Sequence, residues 1–239
     1  MIAAAGGYPV SMGSRRATAV LLIAAGVFYA AWLGEYVLPA TLSPVQSYAS
    51  DLAADGQPYQ LLFRTTDFVT GVLLLVSVVP LGRTLQRRRV NRRWALVLLV
   101  GLAGFGAATI VDSVFTLDCV TAIDAGCRQR ELAGQLSAEH FVHLGSSTVA
   151  QIAVLCAMLA LHRMAAGSRW RRWTLALLGI VLAGWLASVA LYDVGFAGVP
   201  QRVQLLAEAA ALVIGGVLLI GARLPESCPR DRAAGTGAA

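Results

Sequence analysis

Apolar residues in this chain fall into six long blocks, roughly 17–38, 65–81, 94–115, 140–161, 173–192 and 203–222. They neither alternate with period two nor form narrow amphipathic stripes, so strands and surface helices are poor descriptions of them. At about 1.5 Å per residue each block can cross a hydrocarbon layer of about 30 Å, the second only just. The pattern predicts an all-α, polytopic transmembrane six-helix bundle. Between the first two blocks, Ser43 can cap a helix, Pro44 suits its first turn and Gly56 can end it. A short outer surface helix over 44–55 is expected.

The connections separate by charge. Arg83, Arg87, Arg88, Arg89, Arg92 and Arg93 lie between the second and third blocks, and Arg163, Arg169, Arg171 and Arg172 between the fourth and fifth, with no acid in either loop. Positive loops stay in the cytoplasm, which places both termini there as well. The organisation read from this is a cytoplasmic N-terminal tail over 1–16, a six-span domain over 17–222 and a disordered cytoplasmic tail over 223–239. Arg15 and Arg16 before an apolar run also suit a signal sequence. The run is longer than such sequences need and carries Glu35 near its end, which favours a retained first helix. Cys119 and Cys127 fall in an outer, oxidising loop and are expected to form a disulfide; free thiols or metal ligands are the alternatives. Cys156 lies within a span and Cys228 in the cytoplasmic tail.

Composition sharpens the class. Of 239 residues 57% are hydrophobic and only 13% charged, about half the charged fraction of a soluble domain. The net charge of +6 comes from 19 basic residues, all Arg. They flank apolar spans, so they read as topology determinants, and nucleic acid is not an expected partner.

Ionisable groups inside spans are costly and need a reason. Glu35, Arg64, Asp67, Asp112, His140, His143, Asp193 and Glu208 all fall in the outer third, while the inner parts of all six spans carry none. A carrier needs polar steps reaching both faces, so a one-sided cavity suits a ligand-binding protein or an enzyme better. His140 and His143 share a helix face and, with Asp112, could form a catalytic or metal-ligating set, zinc being the metal such donors suit. The competing reading has both histidines bonding loop carbonyls and carboxylates. Arg64 and Asp67 can pair within their helix, and Gln204 can reach Glu208. Asp112 has no local partner and should face His140, His143 or Arg64. Arg64, Asp67 and Glu208 are candidate ligand-binding residues. A serine nucleophile drawn from Ser43, Ser47 or Ser50 lacks the strained Gly-x-Ser-x-Gly turn.

The run Ser43-Pro44, Ser47-Tyr48, Ser50-Asp51-Leu52, Phe63-Arg64, Asp67, Gly71, Asp112, Phe115, Asp118-Cys119, Cys127, His140 and His143 resembles the domain-of-unknown-function 998 membrane family over about 17–220. The resemblance implies a bacterial six-helix integral membrane protein with no assigned reaction. A looser similarity is to ceramidase and adiponectin-receptor-like hydrolases, which gather Ser, Asp and His around zinc. They place a His pair in a late helix, where this chain has none. The expectation is a multi-pass protein of the bacterial plasma membrane with an outward-facing Asp/His/Arg cavity that binds or hydrolyses an outer-leaflet lipid or amphiphile. The alternative is a non-catalytic membrane subunit or sensor whose polar cluster is structural. No protein partner is indicated.

Overall fold

The computed structural model describes residues 12–87, 90–165 and 170–221. Much of both tails, with Arg88, Arg89, Arg169, Arg223 and Cys228, lies outside the described residues. Six helices are long and apolar enough to span a membrane: α1 (Met12–Tyr29, continued as a 3₁₀ segment over Ala31–Tyr36), α2 (Gln60–Arg87), α3 (Arg92–Val114), α5 (Ala138–Met164), α6 (Arg171–Ala190) and α7 (Gly198–Gly221). The seventh, α4 (Ala125–Leu132), is short and does not span. The chain is therefore an all-α, multi-pass membrane protein.

The helix starts follow from local chemistry. The first backbone N–H groups of a helix lack intrahelical partners. Asn91 accepts from the Arg93 N–H at 3.0 Å to start α3, Asp124 from the Gly126 and Cys127 N–H groups to start α4, and Ser137 from the His140 N–H to start α5. The segment expected to be a surface helix over 44–55 instead makes turns and one 3₁₀ stretch, Ala49–Ala53. Its carbonyls are claimed by other parts of the chain, as shown below. Gly56 does adopt the left-handed conformation expected of it, at φ 78°.

The spans form a ring in chain order, with α1 packed on α2, α2 on α3, α3 on α5 and α6 on α7, and α7 closing back on α1. The α5–α6 seam is the loosest in the ring. Large apolar side chains such as Val20, Leu96, Val100, Trp173 and Val217 remain exposed around the bundle, where lipid replaces water. Without a hydrophobic drive between helices in lipid, close packing depends on small residues. Gly71 and Gly106 illustrate this at the α2–α3 crossing: a Cβ on Gly71 would lie 2.5 Å from the Gly106 carbonyl, and one on Gly106 2.8 Å from the Gly71 carbonyl.

The bundle has two unlike ends. The arginine-rich connections lie at one, called here the arginine end. At the other, the disulfide end, lie residues 37–59, 115–137 and 191–197. There a small apolar cluster of Trp32, Leu42, Leu52, Phe63, Leu117 and Val120 seats the first long loop on the spans. A larger core including Leu74, Leu102, Phe105, Val154 and Val181 fills the middle of the ring.

Candidate functional site

The polar groups of the disulfide end are arranged first by the needs of helix termini. Helix α3 ends at Val114, and its last carbonyls lack intrahelical donors. Arg64, on α2, donates to the Ser113 and Val114 carbonyls, both at 2.9 Å. His143, on α5, places Nδ1 2.9 Å from the Phe115 carbonyl and 3.1 Å from the Asp112 carbonyl. With only acceptors around it, Nδ1 carries a proton, which in the neutral ring leaves a lone pair on Nε2. Nε2 has no partner, and the ring lines a cavity although the residue is only 5% exposed.

His140 has the opposite tautomer. The Asp118 N–H donates to Nδ1 at 3.2 Å, so Nε2 carries the proton and donates to Glu131 of α4 at 2.9 Å. Asp118 itself accepts from the Ser137 N–H at 2.8 Å and from the Ser137 hydroxyl at 2.5 Å. Cys119 and Cys127 form the expected disulfide, which ties α4 to this strip of chain. The α4 helix thus acts as a strut that holds Glu131 against His140.

The cavity measures about 510 Å³ and lies among α1, α2, α3, α5, α6 and α7 at the disulfide end. Asp67, Asp112, His140 and His143 all line it. The Asp112 carboxylate accepts from the hydroxyls of Ser146 and Ser147, the latter at 2.9 Å. Asp67 makes no hydrogen bond or ion pair among the described residues. Glu208, 1% exposed, sits behind the wall, accepting from Tyr29 at 2.9 Å and from Gln204 at 3.1 Å. Gln204 also donates to Gln151. Tyr29, Gln151 and Gln204 face the cavity.

Three expectations need correction. Arg64 does not pair with Asp67, because its guanidinium caps α3, and it does not line the cavity. The ion pairs among the described residues are Arg128–Asp193, His140–Glu131 and Arg202–Glu35. The zinc set of His140, His143 and Asp112 is not assembled either: no three His, Cys, Asp or Glu side chains among the described residues are grouped to hold a metal ion. Both His140 nitrogens are occupied, as is Nδ1 of His143, which leaves one free imidazole donor where a zinc site needs at least three protein ligands.

Sequence reading missed Arg202. It lies in the first turns of α7 and sends two parallel bonds to Glu35, at 2.6 and 2.7 Å. It also donates to the carbonyls of Pro44, Ser47 and Gly198. A lone acid and a lone base at the same depth of the first and last spans were the available signal. Asp51 was missed too. Its carboxylate accepts from the Tyr48 N–H at 2.9 Å. Burial pushes Asp51 up to about 7, and the Tyr48 bond and nearby Arg202 oppose the shift while Glu131 adds to it.

The sign of that shift sets a pH dependence. An acid held above its unfolded value of about 3.9 contributes stability that is complete below that value and lost as pH rises through about 7. The melting temperature in detergent should therefore fall between about pH 4 and pH 7, and Asp51→Asn should flatten the decline. An equal decline in that variant would remove Asp51 as its source.

A family model described as "Protein of unknown function (DUF998)" matches residues 22–218. No curated protein and no solved structure matches the chain.

Proposed function

The chain belongs to the DUF998 family, whose description carries no activity, and from its geometry we propose that it binds an amphiphile or lipid in the cavity at the disulfide end. The carrying observation is a cavity of about 510 Å³ within the depth of the spans, lined by Asp67, Asp112 and His143 together with the apolar Trp32, Phe105 and Trp185. A polar floor within apolar walls suits a molecule with a head and a tail. The arginine-rich connections support a cytoplasmic arginine end with both termini on that side. The cavity then opens outward from a bacterial plasma membrane, and the disulfide lies in the oxidising compartment.

In this reading Asp67, Asp112 and His143 meet the head, Glu208 braces Tyr29 and Gln204 from behind, and Arg64 acts indirectly by holding the end of α3. Binding is better supported than hydrolysis. His143 Nε2 could serve as a general base, but Ser146 and Ser147, about one turn along the same helix, donate their hydroxyl protons to Asp112. The structural alternative also has an observation behind it: Tyr29–Glu208 and Gln151–Gln204 join helices directly.

The test is a lipid inventory of purified protein by native mass spectrometry. The expected result is a near-stoichiometric bound amphiphile in the wild type that falls about tenfold or more in Asp112→Ala, the loss of charge-assisted bonds to the head. A purely structural cluster predicts lower stability of the variant with retention unchanged. That result, or wild-type protein free of any amphiphile, would refute the binding reading.

A further inference from the structure

The proposed cavity has a charge character that narrows its ligand. Five carboxylates line it, those of Asp51, Asp67, Asp112, Glu131 and Asp193, and no Arg or Lys does. Four have partners within the chain, though a carboxylate can accept further bonds: Asp51 the Tyr48 N–H, Asp112 two serine hydroxyls, Glu131 His140 and Asp193 Arg128. Asp67 alone has no hydrogen bond or ion pair among the described residues. His143 provides a second, independent pointer, because its Nε2, an acceptor in the neutral ring, is buried on the same cavity with no hydrogen-bond partner among the described residues. Gln204 Oε1 is a third unpartnered acceptor there, and Trp32 Nε1 and Gln151 Nε2 are unpartnered N–H donors on the same lining. A half-buried carboxylate and a buried imidazole lone pair are both satisfied by N–H donors, and the carboxylate also by positive charge.

The walls agree with this. Tyr29 and Phe105 meet edge to face at 5.3 Å, and Tyr48 and Tyr192 stack at 5.5 Å, all four lining the cavity. Aromatic faces attract cations, and Arg128 already sits 4.7 Å from the Tyr192 ring centre. An anionic head would meet carboxylates of which only Asp193 is offset by a guanidinium, that of Arg128, since Arg64 and Arg202 are both spent on backbone carbonyls or Glu35.

A route for a tail lies at the loosest seam of the ring. Leu144 and Thr148 of α5 and Trp185 and Val189 of α6 line the cavity, and each pair sits one turn apart on its helix. The buried side of α6, at Gly184, is set against Pro200 and Gln204 of α7 rather than against α5. Resting on the binding reading above, we propose that the ligand is a single-chain amphiphile with a primary ammonium head, held by Asp67 and His143, its tail leaving between α5 and α6.

The experiment uses full-length protein in nanodiscs and an 18-carbon chain, spin-labelled at its middle and ending in a primary ammonium, trimethylammonium, hydroxyl or phosphate group. The immobilised component of the spectrum reports the bound chain. The ammonium head should bind about tenfold or more tightly than the other three, because trimethylammonium lacks N–H donors, hydroxyl lacks charge and phosphate carries the wrong sign. Asp67→Asn should lose that preference. His143→Gln should weaken the ammonium chain with less effect on the trimethylammonium chain, and the wild-type series stands even if a variant fails to fold. Equal immobilisation of all four heads overturns the ammonium assignment and leaves amphiphile binding intact. No immobilised chain of any kind overturns amphiphile binding itself. Thermal stabilisation by ethylammonium equal to that by the ammonium-headed chain assigns the site to a free amine and overturns the tail.

Discussion

Arg202→Met will destabilise the protein by about 3–5 kcal/mol, the usual consequence of stranding one partner of a buried ion pair. Arg202 is 5% exposed and supplies paired bonds to Glu35 together with donors to the Pro44, Ser47 and Gly198 carbonyls. Its loss leaves a carboxylate and several carbonyls buried without donors. Arg202→Lys should rescue little, since an ammonium cannot reproduce the planar two-pronged contact. The double change Glu35→Leu with Arg202→Met removes the orphaned charge and should recover part of the loss, though the loop carbonyls stay unsatisfied. Thermal unfolding in detergent, followed by circular dichroism, measures all three. A single Arg202→Met chain within about 1 kcal/mol of wild type would show that the pair contributes little, as for an exposed salt bridge. The effect reaches the cavity, because the loop Arg202 holds carries Tyr48 and Asp51, both part of its lining.

Replacing both Cys119 and Cys127 by Ser will loosen α4. Cross-linking residues eight apart removes chain entropy from the open state worth about 2.5 kcal/mol. Amide exchange across Ala125–Leu132 should therefore accelerate about seventyfold, with the mid-span amides little changed. The expected contrast follows from where the constraint acts: Cys127 is buried on α4, and Glu131 one turn later bonds His140 on α5. Glu131→Gln in the intact disulfide background should leave exchange in α4 closer to wild type. Unchanged exchange in the double Ser variant would mean that the Asp124 cap and surrounding packing hold α4 without the cross-link.

The arrangement as a whole separates two uses of polar groups in a membrane. Most of those at the disulfide end answer obligations of the backbone or of each other: Arg64 and His143 Nδ1 serve the end of α3, Ser137 starts α5, and Arg202 binds loop carbonyls. The remainder, among them Asp67, His143 Nε2 and Gln204 Oε1, have no such duty among the described residues. A functional reading rests more safely on that remainder than on the number of polar residues present.

Hydropathy and loop charge in the amino-acid sequence were enough for the six spans, the concentration of ionisable groups toward one end and the Cys119–Cys127 pair. In lipid each spanning segment must satisfy its backbone within itself, so length and apolarity determine it locally. Partnership between side chains depends on how each helix is rotated about its axis and how closely its neighbours approach, and these are set by packing such as that of Gly71 against Gly106. Arg64 and Asp67 are three residues apart and could have paired, yet the carbonyls ending α3 offered Arg64 two acceptors at once. Glu35 and Arg202 stand at opposite ends of the chain and meet only because α7 closes the ring on α1. The tertiary structure decided these partnerships because a buried charge or carbonyl goes to whichever donor the packed helices bring within reach, whatever the separation along the chain.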